Sequence, residues 1–203
     1  MSFATLAALA IHDVKNRLAA MAARAEARGD RETLREALAA AGELSRLLAC
    51  YKADAGLLRP DIDAHCPADL VDELLVEVRS LSGVEIAGDS RLAPQSWYYD
   101  AALVRMVLAN ALHNALRFAR ARILLTARQS GEWLEFRVSD DGPGYPPELL
   151  ADPARVAPMS GAGVGLGLHL ALSVARLHEN HGLAGSLSLE NAAGAVFTLK
   201  LPR

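Results

Sequence analysis

The spacing of apolar residues changes character once along this chain, and the change limits it to two differently built parts. The break falls near residues 54 to 68, where "DAGLLRPDIDAHCPA" places Gly56, Pro60 and Pro67 between two strongly periodic regions. Upstream, Ile11, Val14, Leu18, Met21 and Ala25 recur at alternating spacings of three and four, and after Gly29-Asp30 so do Leu34, Ala37, Ala41, Leu44, Leu48 and Tyr51. This is the period of two helices. Gly29 suits the end of the first and Asp30 the N-cap of the second, so the connection is short and the helices are expected to pack antiparallel. A lone helical hairpin leaves an apolar stripe uncovered, and pairing with a second copy into a four-helix bundle buries it. A homodimer through the hairpin is the expectation.

Downstream, helical and alternating patterns take turns. Leu70, Leu74, Val78 and Leu81 mark an amphipathic helix over residues 67 to 82. "VEIAG" and "SWYY" read as short strands, and Asp100 can N-cap the apolar helix "AALVRMVLANALHNALRFA". "RILLTAR" and "EWLEFRVS" alternate as strands joined through Gln129, Ser130 and Gly131. A glycine-rich segment, a helix near 164 to 180 and the hairpin "GSLSLENAAGAVFTLKL" complete the chain. The predicted class is α+β: an N-terminal antiparallel helical hairpin over 1–56, a linker over 57–66, and an α/β sandwich over 67–203 with helices on one face of a mixed or antiparallel sheet.

Composition removes several functions. A formal net charge of -3 offers no clustered basic excess for tracking phosphate backbones, so no nucleic-acid role is expected. No apolar run approaches the roughly 18 residues of a membrane span, and no basic segment followed by a long apolar core opens the chain. The expectation is a cytoplasmic protein. Cys50 and Cys66 form no disulfide framework, and with His65 they make one ligand too few for a structural zinc, so both are expected to be free thiols.

Three stretches of the second part carry chemistry. In "LANALHNALRF", Asn110 and Asn114 lie one helical turn apart, with His113 and Arg117 nearby, on a helix that is otherwise apolar. A pair of asparagines satisfied by neighbouring backbone would explain these amides equally well. "VSDDGPGYP" follows a strand and sets Asp140 before Gly142 and Gly144, a carboxylate beside a turn whose backbone can approach a planar ligand closely. Alone, it is also an ordinary strand-ending turn. "SGAGVGLGLHLA" brings Gly161, Gly163, Gly165 and Gly167 to a helix start, where backbone N–H groups can cradle phosphate oxygens. It is not a Walker loop, because no Lys-Ser or Lys-Thr pair follows, and no strand precedes it as a dinucleotide fold requires.

The order of the three stretches resembles the catalytic ATP-binding domain of the sensor histidine kinases, in the superfamily that includes gyrase and heat-shock chaperone ATPases. "HDVKN", residues 12 to 16, is similar to the histidine box of their dimerisation and phosphotransfer helix: His, an acidic residue, any residue, a basic residue, then Thr or Asn. The resemblance runs from His12 to "VFTLKLP". It implies that His12 is the phospho-acceptor whose imidazole attacks the γ-phosphate of ATP, that Asp13 is the acidic neighbour acting as general base, and that Asn16 orients a water for dephosphorylating the partner. His12 lies one residue, about 100° of turn, off the Ile11 stripe, which predicts that it faces solvent. The resemblance further implies that Asn114 binds Mg2+, with Asn110, His113 and Arg117 making further phosphate and metal contacts. Asp140 corresponds to the carboxylate that accepts from the adenine amino group, and Gly142, Gly144, Gly163, Gly165 and Gly167 to glycines lining the site. "YPPELLADPARVAPMS" resembles a short ATP lid whose only cation, Arg155, is the candidate for a phosphate contact.

Departures are visible too. Arg17 stands where a proline commonly follows the histidine box, Tyr145 where an aliphatic residue is usual, and Ala195 where threonine is common. The implied activity is autophosphorylation of His12 from ATP and transfer to an aspartate of a response regulator receiver domain, with phosphatase action a further possibility. Alternatives are a histidine phosphotransferase with a decayed ATP domain, relaying phosphate between receivers, and a non-enzymatic dimeric docking scaffold. His12 is so near the first residue that either a catalytic fragment or a protein taking its signal from a separate sensor is expected.

Overall fold

Asp30 closes the first turn of the chain: its carboxylate accepts the Thr33 N–H at 3.1 Å, while Gly29 adopts φ +70°. In this computed structural model, which describes residues 3–79, 83–153 and 164–203, with side chains at all of these except 3–10, 12 and 164, the turn joins helix α1 (Phe3–Ala27) to α2 (Arg31–Asp54). The helices pack against each other, with Ala22 and Ala25 of α1 and Ala37, Ala49 and Cys50 of α2 buried. Small residues on both faces let the two backbones approach closely. Burial pushes the Cys50 thiol up to about 11, with the Asp54 charge adding to the effect, so it stays protonated and unreactive. Neither Cys50 nor Cys66 is in a disulfide. Helix α1 runs unbroken through Arg17. Val14 and Met21 of α1 and Leu38 and Leu47 of α2 remain exposed. These helices form one unit, residues 1–58, and residues 59–203 form a second.

The second unit begins inside the segment predicted as linker, where β1 (Asp63–His65) pairs antiparallel with β3 (Trp97–Tyr99). Between them lie α3 (Pro67–Arg79) and β2 (Glu85–Leu92), and after them α4 (Ala101–Phe118), β4 (Arg122–Ser130) and β5 (Trp133–Asp140). Then come α5 (Pro147–Ala151), α6 (Val164–Leu177), the small hairpin β6 (Glu179–Asn180) and β7 (Leu183–Ala184), β8 (Ser186–Asn191) and β9 (Ala195–Pro202). Leu81, assigned to the α3 stripe by periodicity, lies outside the described residues. The main sheet has the order β2-β4-β5-β9-β8; β2 and β4 are parallel and every other neighbouring pair is antiparallel, so the sheet is mixed.

Two boundaries differ from the sequence reading. The β4–β5 turn lies at Gly131-Glu132, because β4 continues to Ser130 and pairs it with Trp133. The last helix ends at Leu177, and residues 179–184 form the hairpin β6–β7, which turns through His181 (φ 50°) and Gly182 (φ 77°).

Alternation explains the layering. Ile123 and Leu125 of β4, Leu134, Phe136 and Val138 of β5, and Leu199 and Leu201 of β9 are buried, against α3, α4 and α6. The opposite face carries polar residues, among them a buried carboxylate, Glu135, gripped by Arg128 Nη2 at 2.6 Å and Lys200 Nζ at 2.8 Å. Burial alone would raise the Glu135 pKa; the Lys200 and Arg128 hydrogen bonds outweigh it and hold the group below its ordinary value.

A buried network joins the start of this unit to the start of α4 and the end of α6. Asp100 caps α4 by accepting the Leu103 N–H at 2.9 Å, its other oxygen accepts the Asp61 N–H at 2.9 Å, and its own N–H donates to His178 Nε2 at 3.0 Å. His178 Nδ1 lies 2.7 Å from the Val174 carbonyl, so the ring is held neutral, donating at Nδ1 and accepting at Nε2. Burial lowers the His178 pKa below 6.5, against smaller opposing effects of the Val174 carbonyl and the Asp100 charge. The unfolded chain therefore takes up this proton more readily. The stabilisation is complete above about pH 6.5 and is lost as the pH falls through the folded pKa. Urea unfolding at about pH 7.5 and about pH 5.5 is expected to give a lower stability at the acid pH, and a shallower decline in His178→Gln.

Candidate functional site

Helix α4 brings Ala111, Asn114, Ala115 and Phe118 to one face at i, i+3, i+4 and i+7, and this face forms one wall of a cavity of about 690 Å³. Val138 and Asp140 at the end of β5 form a second wall, the turn from Pro143 to Pro147 with Leu149 of α5 a third, and Ala195 at the start of β9 a fourth. The size suits a drug-sized or nucleoside ligand, and the lining is mainly apolar with a few polar groups, as ligand sites usually are.

Asp140 is held by backbone. Its Oδ1 accepts the N–H of Gly142 at 2.7 Å and of Ala195 at 3.2 Å, which fixes the carboxylate at the rim of β5. Among the described residues nothing donates to Oδ2, so the carboxylate retains accepting capacity inside an apolar cavity. That capacity matches a ligand N–H. Asp141, the next residue, points its bonds elsewhere: Oδ1 accepts from the N–H groups of Arg120 at 2.8 Å, Ala121 at 3.0 Å and Arg122 at 3.2 Å. The Ala121 and Arg122 N–H groups are the main reason its carboxyl sits below the ordinary value.

Gly144 is the one glycine of the turn that needs its freedom, with φ +83° and a would-be Cβ only 2.7 Å from the Asn191 amide. Asn191 in turn clamps Tyr145: the Tyr145 N–H donates to Asn191 Oδ1 at 2.7 Å, and Asn191 Nδ2 donates to the Tyr145 carbonyl at 2.9 Å. Burial, and secondarily the Asp140 charge, push the Tyr145 phenol up, so it is a neutral donor at physiological pH.

Of the residues singled out from sequence, Asn114, Asp140 and Gly144 line the cavity and Gly142 anchors Asp140. Asn110 stands apart from that lining and packs on Gly167 of α6, so closely that a Cβ at Gly167 would occupy the Asn110 amide position. His113 and Arg117 are exposed on the same side of α4, and the Arg117 guanidinium sits 5.4 Å over the Phe118 ring. Gly165 is buried in the first turn of α6. Arg155, Gly161 and Gly163 lie outside the described residues, as does the side chain of His12, whose backbone is in α1. Asp13 and Asn16 are exposed on that helix, in the other unit. Sequence reasoning missed Asp141, Asn191 and Phe118. The doubled Asp of "SDDG" was a signal for the first; for Asn191 there was none, since its partner is 46 positions away.

The family model of histidine kinase-, DNA gyrase B- and HSP90-like ATPases matches residues 99–203, from β3 through the cavity to the end of β9. The chain belongs to that family. Its histidine kinase branch is where the relatives fall. The signal transduction histidine-protein kinase AfsQ2 of Streptomyces coelicolor is 28% identical over 172 residues, covering 79% of this chain and 30% of that protein. The sensor protein PhoQ of Escherichia coli is 31% identical over 137 residues, 64% of this chain and 28% of its own. The chain thus spans less than a third of the length of either. Among solved structures, full-length ShkA in complex with AMPPNP superposes with a TM-score of 0.73 at 20% identity, over 96% of this chain and 45% of that one. The histidine kinase AdeS of Acinetobacter baumannii gives 0.64 at 16% identity, over 92% and 93%. These likenesses establish the fold of an ATPase of this family. No described helix is long and apolar enough to cross a membrane.

The contact of Gly167 with Asn110 generates a test within this ATPase unit. Gly167→Ala is expected to destabilise it by roughly 1–3 kcal/mol, because the added methyl must displace a half-buried amide. Thermal unfolding would register this as a lower midpoint, and a midpoint equal to wild type would show that α4 and α6 yield freely.

Proposed function

We propose that this chain is the catalytic part of a histidine protein kinase of a two-component system. The observation that carries the reading is Asp140: a carboxylate fixed by two backbone N–H groups, with one oxygen left to accept from a ligand, in a nucleoside-sized cavity of an ATPase fold. ATP is the substrate. Asp140 accepts from the adenine amino group, and the apolar walls from α4 and β5 exclude water from the base. The Asn114 amide oxygen, at the same cavity, is suited to Mg2+, a hard cation that keeps most of its water; among the described residues no cluster of three or more His, Cys, Asp or Glu offers a protein cage instead. Bound there, the ion would neutralise phosphate charge. Arg155, Gly163 and Gly165, with Asn110, His113 and Arg117, are the further phosphate contacts of the proposal.

His12 is the acceptor. Its imidazole nitrogen attacks the γ-phosphorus; a P–N bond forms as the bond to the β,γ-bridging oxygen breaks, ADP departs, and Asp13 takes the imidazole proton. The phosphoryl group then passes to an aspartate of a receiver domain. Asn16, one turn on from His12, orients water against the phosphorylated regulator in the reverse function. The exposed apolar residues Val14, Met21, Leu38 and Leu47 support a dimer through the hairpin, and a separate sensor is a candidate source of the signal.

With γ-labelled ATP, the wild type is expected to acquire an acid-labile, base-stable label. His12→Gln should abolish it while leaving ATP affinity intact by calorimetry. Asn114→Ala and Asp140→Ala should lose nucleotide binding itself. Undiminished labelling of His12→Gln would overturn the acceptor assignment.

Asn16→Ala should leave His12 labelling nearly unchanged but slow regulator dephosphorylation. Loss of one positioning hydrogen bond in hydrolysis costs roughly 1–3 kcal/mol, or about tenfold to a hundredfold in rate. The check is the decay of phosphorylated regulator with wild type, with the variant and alone; no acceleration by wild type would remove the phosphatase role.

A further inference from the structure

Tyr145 is the one hydroxyl-bearing side chain among the described residues that line the cavity. Two hydrogen bonds from a single side chain, Asn191, fix its backbone, and neither uses the phenol. Among the described residues the Tyr145 hydroxyl has no hydrogen-bond partner, yet it is not sealed from solvent. Ala195 also lines the cavity, but its side chain offers only a methyl group and its N–H is already spent on Asp140. Among the polar side chains lining the cavity are two of opposite character, near enough that the Asp140 charge acts on the phenol: a carboxylate oxygen that only accepts, and a phenol that can donate.

We propose that Tyr145 is a base-reading residue, its hydroxyl donating to a ring nitrogen next to the amino group that Asp140 accepts. The inference rests on the nucleotide reading of the site and assigns a determinant within it. The chemistry is that of an amidine edge. Adenine presents an amino N–H flanked by ring nitrogens with lone pairs, so an acceptor and a donor on the protein meet a donor and an acceptor on the base. Guanine carries a carbonyl oxygen where adenine has its amino group, whichever ring nitrogen is read, and would set that oxygen against the Asp140 carboxylate. Burial and the Asp140 charge keep the phenol protonated, as donation requires. The double clamp by Asn191 keeps its backbone from drifting, so little ordering is left to be done on binding.

The test is calorimetric titration of the full chain and of Tyr145→Phe with ADP and with its 1-deaza and 7-deaza analogues, each of which lacks one ring nitrogen. Wild type should bind one analogue about threefold to tenfold more weakly than ADP, the worth of one net hydrogen bond. Tyr145→Phe, which keeps the ring, should bind ADP more weakly by the same factor and should no longer distinguish that analogue. Equal binding of all three ligands by wild type overturns the proposal without recourse to a variant. So does unchanged ADP affinity in Tyr145→Phe, an equal loss for all three ligands, or discrimination that survives the substitution. A wild type that binds none of the three, while folded, overturns the nucleotide reading itself.

Discussion

Two adjacent carboxylates at the end of β5 hold the cavity together. Asp140 accepts N–H groups from its own turn and from Ala195 at the start of β9, and Asp141 accepts three successive N–H groups where α4 gives way to β4. Backbone donors at the end of a helix connection and at the mouth of a hairpin would otherwise be left to solvent. By satisfying them, the pair ties α4, β5 and β9 at the one point where all three meet the ligand space. The division of work is clear in the bonding: Asp141 is consumed by the scaffold, whereas Asp140 keeps an oxygen for the cavity. A carboxylate held by two main-chain N–H groups is ordered before any ligand arrives, and in the proposed site that preorganisation spares part of the cost of binding.

How much of this is legible from sequence depends on how far apart the partners lie. Asp30 and Asp100 were readable as helix caps because each bonds three residues ahead, to Thr33 and Leu103. Asn114, Asp140 and Gly144 were readable because their elements carry strong local patterns and stand in a recognisable order. The clamp of Asn191 on Tyr145 was not, since an asparagine in a hairpin turn is locally self-explanatory and its partner is 46 positions away. The length of β2 was hidden for another reason: it is an edge strand with a register shift between Asp89 and Leu92, and its exposed outer residues give no alternation to detect. Asn110 is not among the described residues that line the cavity. Its amide faces α6 rather than the described cavity, where the absence of a side chain at Gly167 makes room for it.

The two units differ in how they are stabilised. The ATPase unit has a continuous buried core, a buried neutral histidine and a sheet closed on its polar face by Arg128, Glu135 and Lys200. Among the described residues, the hairpin buries mostly alanine and leaves larger apolar side chains such as Val14, Met21, Leu38 and Leu47 exposed. A pair of helices of this size gains little from such burial alone, because the fraction of surface that folding buries falls as a unit gets smaller. The apolar exposure fits the proposed dimer, in which a second copy would cover it, and in such a dimer the stability of the hairpin would depend on concentration.

The proposed chemistry takes advantage of an unbroken helix. Because α1 passes through Arg17 without interruption, residues 12, 13 and 16 keep regular helical relations: the first and last stand one turn apart on one side, and the second is displaced by about 100°. In the proposed cycle these three positions serve two reactions that never share a transition state, since phosphorylation needs the imidazole and its base, and hydrolysis needs a positioned water. A proline at Arg17 would remove a hydrogen bond one turn back, near Asp13, and bend the helix between these positions and the rest of α1. With arginine there, the geometry of the acceptor face is set by the helix itself. What remains free to select between the two reactions is the placement of partners on that face.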